Sequence, residues 1–242
     1  GNWEREMRTL FRLSFRIVRG AEARTGNPFA GPDSDRLIIS VDTLAGERMF
    51  ARMREAVASG AALPYDLVVF DEAHKLAADR EQDFYVRKTD RYRLAEALAG
   101  LPADDPRWDL GWSATNMLLL TATPHMGKDF PYYCLWRLLA PDALATFDAF
   151  QAFPEAQRRR HFIRRTKEEM VRFDGQPLYP QRQCDTLSYE LSASEQQLYD
   201  ATTSYITETY NKARILNRSA ARLAMSVFQR RQASSTYALM RS

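Results

Sequence analysis

Two adjacent carboxylates and a histidine directly follow a short apolar run. Residues 67–70 read Leu-Val-Val-Phe, and Asp71, Glu72 and His74 come next. A continuous apolar run of this length predicts a strand that is buried on both faces, as in a parallel sheet. Ligands of open α/β sheets bind at the carboxyl ends of the strands. Carboxylates there can hold a hydrated Mg²⁺ and orient a water molecule against a nucleotide phosphate. The alternative is an ordinary strand end followed by a polar turn.

A second polar segment follows another apolar run. Residues 117–120 (Met-Leu-Leu-Leu) lead into Thr121, Ala122, Thr123 and Pro124. Hydroxyl groups at a strand end could hydrogen-bond His74 or Asp71 and so transmit the nucleotide state across a sheet. Taken alone, this segment is better explained by a simple Thr/Pro turn. Two such segments lie about 50 residues apart, each after an apolar strand, and together they indicate a functional site far more specifically than either one alone.

The elements around these segments alternate between strand and helix. Helices are predicted at 2–12, 45–58 and 91–99, and strands at 15–18, 37–41, 67–70 and 117–121. Residues 20–35 are rich in Gly, Asn, Pro and Asp and predict a loop, and the polar residues 75–90 predict a mobile loop. The alternation favours an α/β fold with a parallel sheet.

The character of the sequence changes near residue 130. Helices are predicted at 129–141 and over the arginine-rich residues 145–172, and a strand at 187–191. Ser192 and Glu195 match a capping box and should begin a helix that runs to about Leu216. A last helical segment covers residues 223–231. We therefore predict a sheet domain over residues 1–130 and a mainly helical subdomain over residues 131–242.

Composition limits the class of protein. The chain has 242 residues, 45% hydrophobic and 27% charged, with a mean hydropathy of −0.46. It has neither an apolar run of about 20 residues that could span a membrane nor a signal-peptide pattern at the start. Cys134 and Cys184 lie far apart and predict two reduced thiols. Residues 151–242 have a net charge of +6 and residues 1–150 of −3, which permits a polyanionic partner for the C-terminal part.

The two polar segments together resemble motifs II (DEAH box) and III of superfamily two helicase-like ATPases. Further segments resemble the Swi/Snf-like branch of double-stranded DNA translocases, in its bacterial form. These segments are 2–6 (NWERE), 39–44 (ISVDTL), 162–169 (FIRRTKEE), 187–199 (LSYELSASEQQLY) and 228–235 (FQRRQASS).

The resemblance implies a RecA-like parallel sheet, as the partial first lobe of a helicase core, that binds ATP and Mg²⁺. Asp71 would hold Mg²⁺ through water, and Glu72 would position or deprotonate the attacking water. His74, Thr121 and Thr123 would couple hydrolysis to DNA. Residues that would contact double-stranded DNA are Ser40, Thr43, Arg164 and Arg165, although a charged, solvated helix face also explains the arginine run at 158–165.

One expected element is missing from the sequence. A Gly-x-x-x-x-Gly-Lys-Ser/Thr loop does not occur, and the one Gly-Lys pair, Gly127-Lys128, precedes Asp129 and follows motif III. We therefore expect the chain to be the middle of a longer bacterial protein, cytoplasmic and nucleoid-associated, and to be inactive as an ATPase alone. The alternative is a degenerate module that binds DNA or a protein without hydrolysing ATP.

Overall fold

The computed structural model describes residues 1–81, 85–125, 127–181, 183–186, 188, 190–216, 225–227 and 229–231. The chain divides into two compact units, Gly1–Arg164 and Arg165–Ser242. This division lies beyond the predicted boundary near residue 130, because the helices at residues 129–161 belong to the first unit. The predicted functional boundary between residues 130 and 131 stays a prediction.

The strands of the first unit confirm the predicted α/β class. Two pairs are parallel, as expected for strands that alternate with helices, and the third pair is an antiparallel hairpin. Within the described residues each pair forms a separate two-stranded sheet. The pairs are β1 (Arg16–Ile17) with β2 (Leu37–Ile38), β3 (Leu67–Phe70) with β6 (Asn116–Leu119), and β4 (Ala78–Arg80) with β5 (Val86–Lys88).

Helices occupy most of the remaining described chain. The first unit contains α1 (Asn2–Leu10), α2 (Glu22–Thr25), α3 (Val41–Ala45), α4 (Glu47–Ala58), α5 (Asp90–Leu98), α6 (Asp129–Leu139), α7 (Phe147–Ala152) and α8 (Glu155–His161). The second unit contains α9 (Ala193–Leu216). Within the described part of the chain, no helix combines the length and the apolar character needed to cross a bilayer.

The burial of β3 differs from the prediction. Phe70 is 4% exposed, but Leu67 is 56% and Val69 40% exposed, and on the neighbouring strand Leu118 is 46% exposed. Successive side chains of a strand point to opposite faces, so these three residues share one face of the sheet. The other face packs on the core through Val68 and its neighbours. The expectation of burial on both faces was wrong because only one face is covered by the described residues.

The segment after the DEAH sequence was also predicted incorrectly. Instead of a mobile loop, it forms a 3₁₀ turn (Ala73–Lys75) followed by the hairpin of β4 and β5. Leu76 and Ala78 are buried, and the Lys88 ammonium lies 3.0 Å from a Glu96 carboxylate oxygen. Apolar anchors spaced among polar residues therefore hold a segment whose average composition is that of a loop.

Two other predicted elements are shortened by local chemistry. Strand β2 ends at Ile38, and Val41 instead begins α3, because the Ser40 hydroxyl accepts a hydrogen bond from the Thr43 amide and caps that helix. The predicted helix at 145–172 is interrupted before Pro154, which lacks an amide proton and lies at the N-cap of α8.

The predicted capping box of α9 is confirmed. The Glu195 carboxylate accepts the Ser192 amide at 3.0 Å, and the Ser192 hydroxyl accepts the Glu195 amide at 3.4 Å. The strand predicted at 187–191 and the helical segment predicted at 223–231 lie partly outside the described residues. In the latter, residues 225–227 and 229–231 are helical.

Helices α5 and α6 form the centre of the core of the first unit. Tyr92 is fully buried and donates its hydroxyl proton to the Cys134 carbonyl at 2.9 Å, which ties the two helices together. Burial raises the pKa of the Cys134 thiol to about 12, so this cysteine stays a neutral core residue. The two predicted free thiols are confirmed, since both Cys134 and Cys184 are free.

Candidate functional site

The parallel pairing of β3 with β6 places the two polar segments at the same edge of the sheet. Phe70 lies beside Leu119, and the Leu120 amide donates to the Phe70 carbonyl at 2.8 Å. The Ala73 amide then donates to the Leu120 carbonyl at 2.8 Å. These backbone hydrogen bonds continue past the strand ends, so the DEAH and TATP segments are held side by side.

His74 and Thr121 are brought into contact at this edge. The His74 Nδ1 atom lies 3.0 Å from the Thr121 hydroxyl oxygen, and both side chains are partly buried. The same nitrogen lies 3.2 Å from a Glu72 carboxylate oxygen. Nδ1 therefore lies within reach of both the Glu72 carboxylate and the Thr121 hydroxyl. The Thr121 oxygen also accepts the Thr123 amide at 3.1 Å, so four of the candidate residues belong to one polar network with Asp71 beside it.

Glu72 has an unusual backbone conformation. Its φ of 52° and ψ of 45° lie in the left-handed region, and the side chain is exposed. This conformation costs a residue other than glycine about 1–2 kcal/mol. The strain is held by the Glu72 amide, which donates to an Asp71 carboxylate oxygen at 2.9 Å, and by the Ala73 bond to Leu120. Strained residues of this kind concentrate at functional sites.

The Asp71 carboxylate accepts one hydrogen bond on each oxygen. One oxygen accepts the Glu72 amide, and the other accepts the indole N–H of Trp3 at 2.8 Å. A carboxylate has about four lone-pair sites, so both oxygens retain capacity toward solvent. Mg²⁺ keeps several water ligands and needs only one or two carboxylates together with substrate phosphates. Asp71 fits that role, although the described residues include no group of three metal-ligating side chains.

A second connection joins the segments that follow the two motifs. The Lys128 ammonium lies 2.6 Å from an Asp79 carboxylate oxygen, which links the loop after Thr123 to the hairpin after His74. Its hydrogen bond holds the pKa of Asp79 below the usual value. His125, in the same loop, lies 2.9 Å from Asp129 at the start of α6.

The two hydroxyl residues proposed to contact DNA are engaged with each other. The Ser40 hydroxyl lies 2.7 Å from the Thr43 hydroxyl and caps α3. Next to them, Arg91 makes two hydrogen bonds to the Asp42 carboxylate, the longer of 2.9 Å, and fixes α3 to the start of α5. The exposed Ser40 side chain thus lies at a rigid helix N-terminus.

The arginine run is not uniformly solvated. Arg158 donates to the Phe150 carbonyl at 2.8 Å and its guanidinium lies 4.6 Å from the centre of the Phe150 ring. Arg159 pairs with Glu155 on the helix surface. Arg164 and Arg165, the candidates for DNA contact, are exposed and lie on either side of the division between the two units.

Two participants at this site were missed from the sequence. Trp3 lies in the helix predicted at 2–12 and Asp79 in the mobile loop predicted at 75–90, and neither was named as a site residue. Their contacts with Asp71 and Lys128 join residues 68 and 49 positions apart. Hydrophobic periodicity in α1 carries no information on such a partner, so only the three-dimensional structure identifies them.

Comparisons with known proteins give partial matches. No family model matches the chain. It is 31% identical over 160 residues to the RNA polymerase-associated protein RapA of Pseudomonas syringae pv. tomato, a match that covers 64% of this chain and 14% of that protein. The RapA protein of Stutzerimonas stutzeri is 32% identical over 154 residues, with 62% and 14% covered.

A third match is to an uncharacterized ATP-dependent helicase, YqhH, of Bacillus subtilis. It is 28% identical over 174 residues, covering 69% of this chain and 26% of that protein. The chain thus spans about one seventh of the RapA proteins that it matches, which corresponds to the 14% covered. Together these similarities support a relationship to the helicase superfamily and nothing finer.

Proposed function

We propose that this chain forms the Mg²⁺-binding and water-positioning half of the nucleotide site in an ATP-dependent translocase of the Swi/Snf-like type. Such a motor would hydrolyse ATP to move along double-stranded DNA in the bacterial cytoplasm, at the nucleoid. The similarity to an ATP-dependent helicase of B. subtilis supports the use of ATP. Translocation along duplex DNA does not require strand separation.

The observation that carries this proposal is the contact between His74 and Thr121. It joins the two segments whose resemblance to helicase motifs II and III was noted from the sequence, at a separation of 3.0 Å. The contact brings both segments into one polar network, as coupling between them requires. Their contact gives the phosphate side of the site a physical link to the segment that follows β6.

The geometry of the site is compatible with the roles that we propose for its residues. Asp71 lies at the end of β3 with free lone pairs and would bind Mg²⁺ through water. Mg²⁺ and ATP supply the transferable phosphoryl group and neutralise its charge when bound. The exposed Glu72 carboxylate, aimed by its left-handed backbone, would orient the attacking water and accept its proton. His74, Thr121 and Thr123 would change their shared hydrogen bonds with the nucleotide state.

DNA contact is assigned to residues outside this network. Ser40 and Thr43 lie at the N-terminus of α3, and hydroxyl and amide groups of this kind bind backbone phosphates without reading sequence. Arg164 and Arg165 are exposed guanidinium groups that can pair with phosphates. The proposed DNA interface is therefore independent of base sequence.

The phosphate-gripping half of the site is not encoded in these 242 residues, because the Gly-x-x-x-x-Gly-Lys-Ser/Thr pattern does not occur. In nucleoside triphosphatases of this type that loop holds the β- and γ-phosphates, and an arginine finger contributes about 10³–10⁵ of the rate. We propose that both are supplied by other parts of a longer protein and that this chain alone hydrolyses ATP only at background rate.

The same missing pattern favours the second candidate function, a degenerate lobe that binds DNA or a protein without turnover. An ATPase assay on the full-length protein, with and without duplex DNA, separates the two. The motor predicts hydrolysis that duplex DNA stimulates. A full-length protein that binds DNA but never hydrolyses ATP would support the non-catalytic module instead.

A further inference from the structure

A cavity of about 430 Å³ lies in the first unit, against one face of α4 and the short helix α2. None of its lining residues belongs to the site proposed above. Residues 48, 51, 52 and 55 of α4 are spaced by three and four positions, so they project from one face of that helix. The lining consists of Ala23, Arg24, Arg48, Ala51, Arg52 and Glu55.

The cavity is strongly positive. Three guanidinium groups and one carboxylate line it, and the carboxylate is already engaged, since Glu55 lies 2.9 Å from an Arg52 guanidinium nitrogen. Arg52 also reaches toward the Ala23 carbonyl, at 3.5 Å, which ties α4 to α2. One arginine is therefore fixed in place at the contact between the helices.

The other two arginines, Arg24 and Arg48, are exposed and have no hydrogen-bond or ion-pair partner among the described residues. By contrast, the nearby Arg16 is paired with Glu22. Two unpaired guanidinium groups facing one hollow repel each other unless an anion lies between them. The planar guanidinium group pairs with two oxygens of one oxyanion, with phosphate and carboxylate as its usual partners.

Small residues create the space. Ala23 is buried, and Ala51 lies on the face of α4 between the arginines. A volume of this size falls within the range of roughly 300–1,000 Å³ that is usual for ligand sites. A leucine at position 51 would occupy part of the hollow without changing its charge or the helix propensity to any large extent.

We propose that this cavity binds a phosphate group, held by Arg24 and Arg48 and backed by Arg52. The phosphate could belong to the backbone of duplex DNA or to a free polyphosphate. Binding of a phosphate group in this cavity does not depend on ATP hydrolysis. The duplex DNA source rests on the function proposed above, as a second contact of the motor with its track.

The test uses the 242-residue chain and two probes, a fluorescently labelled 20-base-pair duplex DNA and inorganic tripolyphosphate. Duplex affinity is measured by anisotropy between 50 and 200 mM salt, and tripolyphosphate affinity by calorimetry. Each protein–phosphate contact contributes about 0.9 to the slope of log affinity against log salt. The variant Arg24→Gln/Arg48→Gln should therefore lower that slope by about 1 if the DNA backbone occupies the cavity, because the two arginines share one phosphate.

Two controls separate the cavity from general positive charge. Ala51→Leu keeps every arginine and should weaken the same probe as the arginine variant does. Arg8→Gln/Arg36→Gln removes the same charge from exposed arginines outside the cavity and should weaken neither probe comparably. Circular dichroism and thermal melting show whether each variant is folded. If Ala51→Leu does not fold, the arginine variant still tests the proposal.

The outcomes are distinct. Loss of duplex binding in the cavity variants assigns the site to the DNA backbone, and loss of tripolyphosphate binding alone assigns it to a free polyphosphate. The proposal would be overturned if the cavity and control arginine variants weakened the binding of both probes equally. It would also be overturned if neither cavity variant weakened the binding of either probe. None of these results depends on ATP turnover, so the proposed motor function can fail while the phosphate site stands.

Discussion

The imidazole of His74 lies 3.0 Å from the hydroxyl of Thr121, a residue 47 positions later in the sequence, just beyond the ends of two paired parallel strands. The same imidazole nitrogen also faces Glu72 at 3.2 Å. A change at the nucleotide that moves Glu72 would therefore alter the bond to Thr121. In the proposed motor, this nitrogen would link water positioning by Glu72 to the segment that follows β6.

Removing the Thr121 hydroxyl should weaken that link. In the full-length protein we expect Thr121→Val to lower the DNA-stimulated rate of ATP hydrolysis about fivefold, corresponding to about 1 kcal/mol for one lost hydrogen bond. The rate without DNA should change less. Thr9→Val is the matched control, because the Thr9 hydroxyl only bonds the Arg5 carbonyl within α1. Equal losses with and without DNA would show that Thr121 has no coupling role.

The strained backbone of Glu72 predicts an inverted order of stability. At an ordinary helix position Ala is more stable than Gly by about 1 kcal/mol, but a left-handed residue should prefer Gly. We expect Glu72→Gly to be more stable than Glu72→Ala by about 1 kcal/mol, measured by urea unfolding of the chain. The pair Glu6→Gly and Glu6→Ala, in α1, should show the usual order. If both positions favour Ala, the left-handed conformation is not maintained in solution.

Trp3 should influence how Asp71 binds Mg²⁺. The indole N–H donates to a charged oxygen at 2.8 Å, and hydrogen bonds to charged groups contribute about 1.5–3 kcal/mol. Trp3→Phe keeps an aromatic ring but removes the donor. We expect the Mg²⁺ concentration for half-maximal ATPase activity of the full-length protein to rise about tenfold or more. A lower maximal rate with an unchanged Mg²⁺ requirement would indicate that Trp3 has only a packing role.

The pair between Asp79 and Lys128 should contribute little to stability despite its short distance. Both side chains are substantially exposed, and such pairs contribute about 0.2–1 kcal/mol. The Lys128 hydrogen bond lowers the pKa of Asp79 from its ordinary value of 3.8. Its contribution is therefore present above about pH 4 and is lost as the pH falls through the lowered pKa.

Comparing the chain with Lys128→Met over pH tests this directly. At pH 7 the variant should unfold with a free energy lower by no more than about 1 kcal/mol, and the two proteins should converge in acid. A difference that grows as the pH falls would contradict the sign of the pKa shift at Asp79.

The strand β3 shows how far the sequence alone could lead. Its bounds, Leu67–Phe70, were predicted exactly as observed, because a short apolar run between polar segments has few alternatives. The burial of β3 was not predicted correctly, because the same run is compatible with a strand covered on one face or on two. Coverage depends on which elements pack against the sheet, and periodicity within four residues does not determine that.

For β3 too much burial was predicted, whereas for the hairpin of β4 and β5 too little order was predicted. Its composition is polar, yet Leu76, Ala78 and the buried Lys88–Glu96 pair anchor it to the core. Glu96 is an example of a group that the sequence would place at the surface. Burial raises its pKa, while the ion pairs with Lys88 and Arg137 act against that rise. Partners that lie on three separate elements cannot be inferred from local pattern.

Some features of the candidate site could also be predicted from the sequence, and others could not. The residues that follow each strand could be named from type and spacing, since carboxylates and hydroxyls after apolar strands have a direct chemical interpretation. The left-handed conformation of Glu72 and the bond from Trp3 to Asp71 could not. Both depend on how the backbone and α1 are placed against β3, which only the folded chain determines.

The most direct test of the proposed site is the substitution Glu72→Gln in the full-length protein, measured as ATP hydrolysis with saturating duplex DNA and, separately, as ATP binding. Glutamine keeps the size of the side chain but does not accept a proton from water. We predict that turnover falls to background while ATP is still bound. Turnover at the rate of the unmodified protein would contradict the assignment of Glu72, and with it the proposal that the edge formed by β3 and β6 is the catalytic half of an ATPase.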